Sequence, residues 1–142
     1  MWDREYRVTF RDTLIETGCG IASVAAVAGV SYAAAKQVAN RRGIYATDYR
    51  LWSETTHVYR LLRHYRIHVS PKPTPFVSWN ALPDRALLAI KWHRERDTEF
   101  WHWVVFARDS SGAYVLDSKK TLKRHVRTDF WRMKPRWFIE VK

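Results

Sequence analysis

From Ile21 to Ala28 every residue but Ser23 is apolar. A helix that is apolar all round is an interior helix, so this stretch predicts one buried on every side. Gly29 suits its end, and Ser31 can cap a second helix that runs through Tyr32, Ala35 and Ala39 to a terminal Gly43. From about Ser53 to Tyr65, Val58, Leu61, Leu62 and Tyr65 fall at helical spacing while Arg60, Arg63, His64 and Arg66 face away, which predicts a third helix with one packed side and one basic side. Ahead of these, Tyr6, Val8 and Phe10 alternate with Arg7 and Arg11, so 1–10 reads as a first strand or an extended lead-in. Ile67 to Val69 starts another strand, and Pro71, Pro73 and Pro75 then force an extended loop.

After Pro83 the period changes to that of strands. Ala86 to Trp92 is a short apolar run, and the charged residues from His93 to Glu99 read as a loop leading to a strand from Phe100 to Arg108. Asp109 to Gly112 is a hairpin turn into Ala113 to Asp117, and Trp137, Ile139 and Val141 alternate in a last strand. Helices first and antiparallel sheet second predict an α+β domain, single and spanning 1–142.

Composition narrows the setting. A chain of 142 residues with 46% hydrophobic content can bury one core without metals or disulfides. Its single cysteine excludes an intramolecular disulfide and any thiolate-rich zinc site, which points to a reducing, cytoplasmic location. The longest apolar run falls far short of a membrane span. A net charge of +11, with pI about 10.2, predicts attraction to polyanions such as an acidic protein or nucleic acid. The basic candidates are Arg60, Arg63, Arg66 and the stretch from Lys119 to Arg127.

The cysteine stands where chemistry can use it. Cys19, flanked by Gly18 and Gly20, opens the buried helix. A helix N-terminus offers unpaired N–H groups and favours negative charge. In the predicted hairpin the turn lies between Ser110 and Ser111, so Asp117 faces Val104 and lies diagonal to His102. Diagonal neighbours are about 7–8 Å apart at the backbone, a span that polar side chains can bridge. A carboxylate there fixes the imidazole tautomer and leaves the other ring nitrogen for a thiol, provided the buried helix packs across the His102 face and no bulge breaks the register. Trp101 and Trp103 then point to the opposite face as packing residues.

The order Cys19, His102, Asp117, with a CG dipeptide opening an apolar helix, an HWVV strand and a YVLD strand, resembles the papain-like cysteine peptidases, most closely the C39 type that processes bacteriocin leaders. The resemblance extends over GVSYAAA after the first helix and ALLAIKW before the histidine strand. It implies a papain-like fold, with N-terminal helices packed on a C-terminal antiparallel sheet, and a cleft between them. It also implies Cys19 as nucleophile, His102 as general base and then acid, Asp117 as orienter, a peptide or protein substrate, and no cofactor or metal. These peptidases usually carry a Gln six or so residues before the cysteine as an oxyanion donor, whereas position 13 here is Thr. Thr13 or Thr17 can substitute, beside the Cys19 N–H. An active peptidase with an altered oxyanion hole, an amidase-like or transferase-like relative, and a catalytically silent binding domain all fit this departure.

A different class competes for part of the chain. Val24 to Gly43 also looks like a helix-turn-helix, with AGVS as the turn and Arg41 and Arg42 at the end of the second helix. Its second helix presents Tyr32, Ala33, Ala34 and Ala35 where base-reading polar side chains belong. His64 and His68 stand one helical turn apart, but no third ligand has a fixed spacing and no metal site is expected from them.

Overall fold

In a computed structural model the described residues are 18–119, 122 and 125–142. The lead-in expected over 1–10, together with Thr13 and Thr17, lies outside them. Among the described residues the fold is α+β, with three α-helices followed by a six-stranded antiparallel sheet. The helices are α1 (Cys19–Ala28), α2 (Tyr32–Arg41) and α3 (Thr56–His64). The strands are β1 (Thr74–Pro75), β2 (Arg85–Glu95), β3 (Thr98–Asp109), β4 (Gly112–Leu116), β5 (Val126–Arg127) and β6 (Trp137–Glu140). They lie in the order β1-β6-β2-β3-β4-β5. No single helix among the described residues is long and apolar enough to cross a membrane.

Local chemistry sets the helix ends. Gly29 closes α1 in the left-handed conformation at φ 77°, its N–H donating to the carbonyls of Ala25 and Ala26. The Ser31 hydroxyl caps α2 by accepting the Ala34 N–H at 3.1 Å. Every residue of α1 from Cys19 to Ala26 is buried, as its all-round apolar pattern requires. In α3 only one side is buried, through His57, Val58, Leu61 and Leu62.

The sheet separates two apolar layers. Leu87, Ala89, Trp101, Trp103, Val105 and Ile139 face the helices. Leu88, Ile90, Val104, Phe106, Val115 and Phe138 face the other way, against Leu82, Met133, Phe76, Trp79 and Phe130. Each large side chain fully withdrawn from water contributes about 1.5–3 kcal/mol, so both layers anchor β2 and β3 firmly.

Several expectations change. The charged stretch 93–99 is the tip of a long β2–β3 hairpin, with Glu95 opposite Thr98, because an exposed hairpin end needs no apolar residues. The proline segment contributes β1, which pairs with β6. Ile67–Val69 supplies only an isolated bridge, Val69 to Val141. The basic stretch yields β5, and a short 3-10 helix, Tyr49–Ser53, precedes α3. The β3–β4 register is as read, Val105 opposite Leu116 and Asp109 opposite Gly112. A bulge does occur, but it lies in β2 between Ile90 and His93 and leaves the β3–β4 pairing intact.

Candidate active site

α1 packs against β3 and both other helices, which brings Cys19 to the strand that carries His102. The route differs from the expected one. α1 lies on the face of Trp103 and Val105, whereas His102 shares the opposite face with Val104. Strand parity fixes which side chains share a face but not which face a helix covers. The groups meet instead at an edge. β4 ends at Leu116, opposite Val105, so the part of β3 before Val105 has lost its neighbour on that side. Cys19 fills the gap, its Sγ accepting the Trp103 N–H at 3.4 Å. The thiol is buried, at 1% exposure.

His102 and Asp117 meet directly, Nε2 donating to Oδ1 at 2.6 Å. That bond places the ring hydrogen on Nε2 and leaves Nδ1 for the sulfur. The carboxylate is fully buried and saturated: Oδ1 also accepts the Lys119 N–H at 3.0 Å, and Oδ2 accepts from Arg127 Nη1 at 2.8 Å. Burial pushes the Asp117 carboxyl up, but the His102 charge and these donors outweigh it and hold the group well below the ordinary carboxylate range. Burial likewise opposes charge on His102, yet Asp117 and Cys19 together raise its pKa to about 10. His102 is therefore an imidazolium at neutral pH.

Behind the carboxylate stands a support that the sequence reading missed. Arg127 is buried, and its Nε and Nη2 donate to Asp129 at 2.9 and 2.8 Å. His125 Nδ1 donates to the Asp117 carbonyl at 2.8 Å, and the Asp117 N–H donates back to the His125 carbonyl at 2.8 Å.

The two glycines matter for space, not for backbone freedom, since Gly18 has φ −80°. A Cβ on Gly18 would come within 2.6 Å of the Tyr32 hydroxyl, and one on Gly20 would collide with His57 Nε2. Burial first, and charge at Cys19 second, push the Tyr32 phenol above its ordinary pKa, so it remains a protonated donor. His57 is buried at 1% exposure and both its ring nitrogens lack a hydrogen bond, although Glu54 Oε1 stands 3.4 Å from Nδ1. Burial lowers its pKa to about 4, which makes it neutral and the contact with Glu54 no ion pair at pH 7.

Elsewhere, Trp101 and Trp103 pack with Trp137 at ring separations of 5.0 and 5.3 Å, on the face opposite His102. α3 ends at His64, whose Nδ1 lies 2.8 Å from Arg42 Nη2, so His68 is not one helical turn further on. Comparison with protein-family models, with curated proteins and with solved structures returns no match.

Proposed function

We propose that this protein is a cytoplasmic thiol hydrolase of papain-like fold and C39-like kind, a cysteine peptidase in which Cys19 attacks a peptide carbonyl and forms an acyl-thioester. The observation that carries the reading is the part-buried 2.6 Å contact between His102 and Asp117, beside a sulfur seated on the neighbouring Trp103 amide. His102 gives its proton to the leaving amine, then takes one from water for deacylation. Asp117 keeps the imidazole in the required tautomer throughout. The Cys19 N–H, in the first turn of α1, is one donor to the oxyanion. We assign the second to the Tyr32 hydroxyl, the protonated donor packed at Gly18, in the role for which the sequence offers Thr13 or Thr17.

The helix-turn-helix reading has weaker support. α1 and α2 are bent by 115°, but α1 is enclosed by the core and α2 exposes Ala33, Ala34, Gln37 and Arg41. Such a face has little with which to read base edges.

The test is cleavage of a peptide library together with iodoacetamide labelling of the single cysteine. Wild type should label rapidly below the free-thiol range of about pH 8.5 and should cleave at least one peptide; His102→Ala should lose both properties and Cys19→Ala all turnover. Labelling that is slow and indifferent to His102 would mean that Cys19 is a packing residue.

A further inference from the structure

Lys91 holds a backbone conformation that lysine disfavours. Its φ is 53°, in the left-handed region, at the bulge that separates Ile90 from His93. Glycine is the residue such a bulge prefers, because a Cβ is strained there. Lys91 also lies next to the active site, since Ile90 is the cross-strand partner of His102. On the other flank, the Lys119 N–H shares Asp117 Oδ1 with His102. The two lysines thus bracket the imidazole, one from each neighbouring segment. Lys91 is exposed and Lys119 partly so.

No described carboxylate neutralises this pair. Asp117 is the one acid acting on Lys91, and its oxygens are already taken by His102, Lys119 and Arg127. Burial first, and then the nearby Lys119 charge, make Lys91 less willing to carry its proton. Arg94 and Arg136 lie over the Trp92 ring, at 5.9 and 4.1 Å, and Arg94 also reaches Glu99. Two lysines beside a nucleophile site, with no described carboxylate free to pair with them, offer an anion two cationic donors. A bound carboxylate would engage them with two charge-assisted hydrogen bonds.

We propose that Lys91 and Lys119 form a carboxylate-binding subsite beside His102, which selects substrates carrying an anionic group close to the bond that Cys19 attacks. The anion is either an acidic side chain or a free chain terminus. The use of the subsite in catalysis rests on the hydrolase reading, but its existence can be tested without turnover.

The experiment follows the backbone amides of Lys91 and Lys119 by nuclear magnetic resonance in the full chain. N-acetylglycine supplies a terminal carboxylate, N-acetyl-aspartate α-amide a side-chain carboxylate, and N-acetylglycinamide neither. Saturable shifts with one or both acids, and none with the neutral amide, are expected. The acid that binds more tightly names the source. Lys91→Gly relieves the backbone strain and Lys91→Met retains it, yet both should weaken binding by about tenfold, the scale of one lost charge-assisted bond. Lys72→Met, an exposed lysine in the loop before β1, should change nothing. Equal shifts with the neutral amide, or binding that survives both Lys91 variants, or equal weakening by Lys72→Met, would overturn the subsite. Peptide cleavage separates the two ideas: carboxylate binding without cleavage of any peptide removes the hydrolase reading alone, and cleavage indifferent to acidic groups with no shifts removes the subsite alone.

Discussion

The two faces of the sheet are built differently. On the helix side, α1 lies against Trp101, Trp103 and Val105, and the layer is continuous and apolar. On the other side a thinner cover of Leu82, Phe130 and Met133 closes over Leu88, Ile90, Val104 and Phe106. That layer gives way at one end to the charged chain His102, Asp117, Arg127, Asp129. The nucleophile belongs to the first face and its base to the second. The contrast teaches that the site depends on neither layer alone but on an edge, opened where β4 stops, at which an apolar element and an ionic one can touch.

The largest expected effect breaks the ionic side. Arg127→Met leaves the Asp117 carboxylate buried with one partner fewer, and removing one member of a buried pair costs about 3–5 kcal/mol. Urea unfolding should show that loss, and a melt unchanged from wild type would mean that Arg127 is dispensable to the carboxylate. Asp117→Asn, which keeps the shape, should cost less stability but impair turnover.

A somewhat smaller effect probes the helix side through acid. His57 has a folded pKa of about 4 against 6.5 for the free group, so the unfolded chain binds more protons between those values. Stability from this residue is complete above pH 6.5 and falls as pH drops toward 4, by up to about 3 kcal/mol. His57→Leu should flatten that slope in urea melts run from pH 7 to 4, whereas a slope identical to wild type would place the acid sensitivity elsewhere. His102 acts in the opposite direction: its raised pKa stabilises the fold below pH 6.5, and that contribution is lost as pH rises toward 10.

The smallest effect joins the two sides. Tyr32→Phe removes only a hydroxyl, yet turnover should fall about 100-fold, as for other single oxyanion donors. The loss should appear in kcat with KM little altered. A loss confined to KM would assign Tyr32 to packing around Gly18.

How far the sequence reveals this arrangement depends on the range of each interaction. α1, the Ser31 cap and the register of the 109–112 hairpin follow from neighbours a few residues apart, and each is where its pattern places it. Pairing His102 with Asp117 required only that register. The face taken by α1 was not legible, because alternation in β3 looks the same whichever side the helices cover. Nor was Arg127: among the basic residues from Lys119 to Arg127 nothing local distinguishes the one that turns inward to a buried carboxylate. β1 and β5, at two residues each, are too short to carry a period.

The Trp103 amide has a mechanical consequence. A sheet N–H that would ordinarily tie one strand to the next is given to the Cys19 sulfur, and the residue that gives it directly follows His102. Thiol and imidazole are thereby mounted on adjoining peptides of one rigid strand. Small movements of the helices against the sheet must either carry the sulfur along with its base or break that N–H···S bond, so the strand itself helps to keep their relative position.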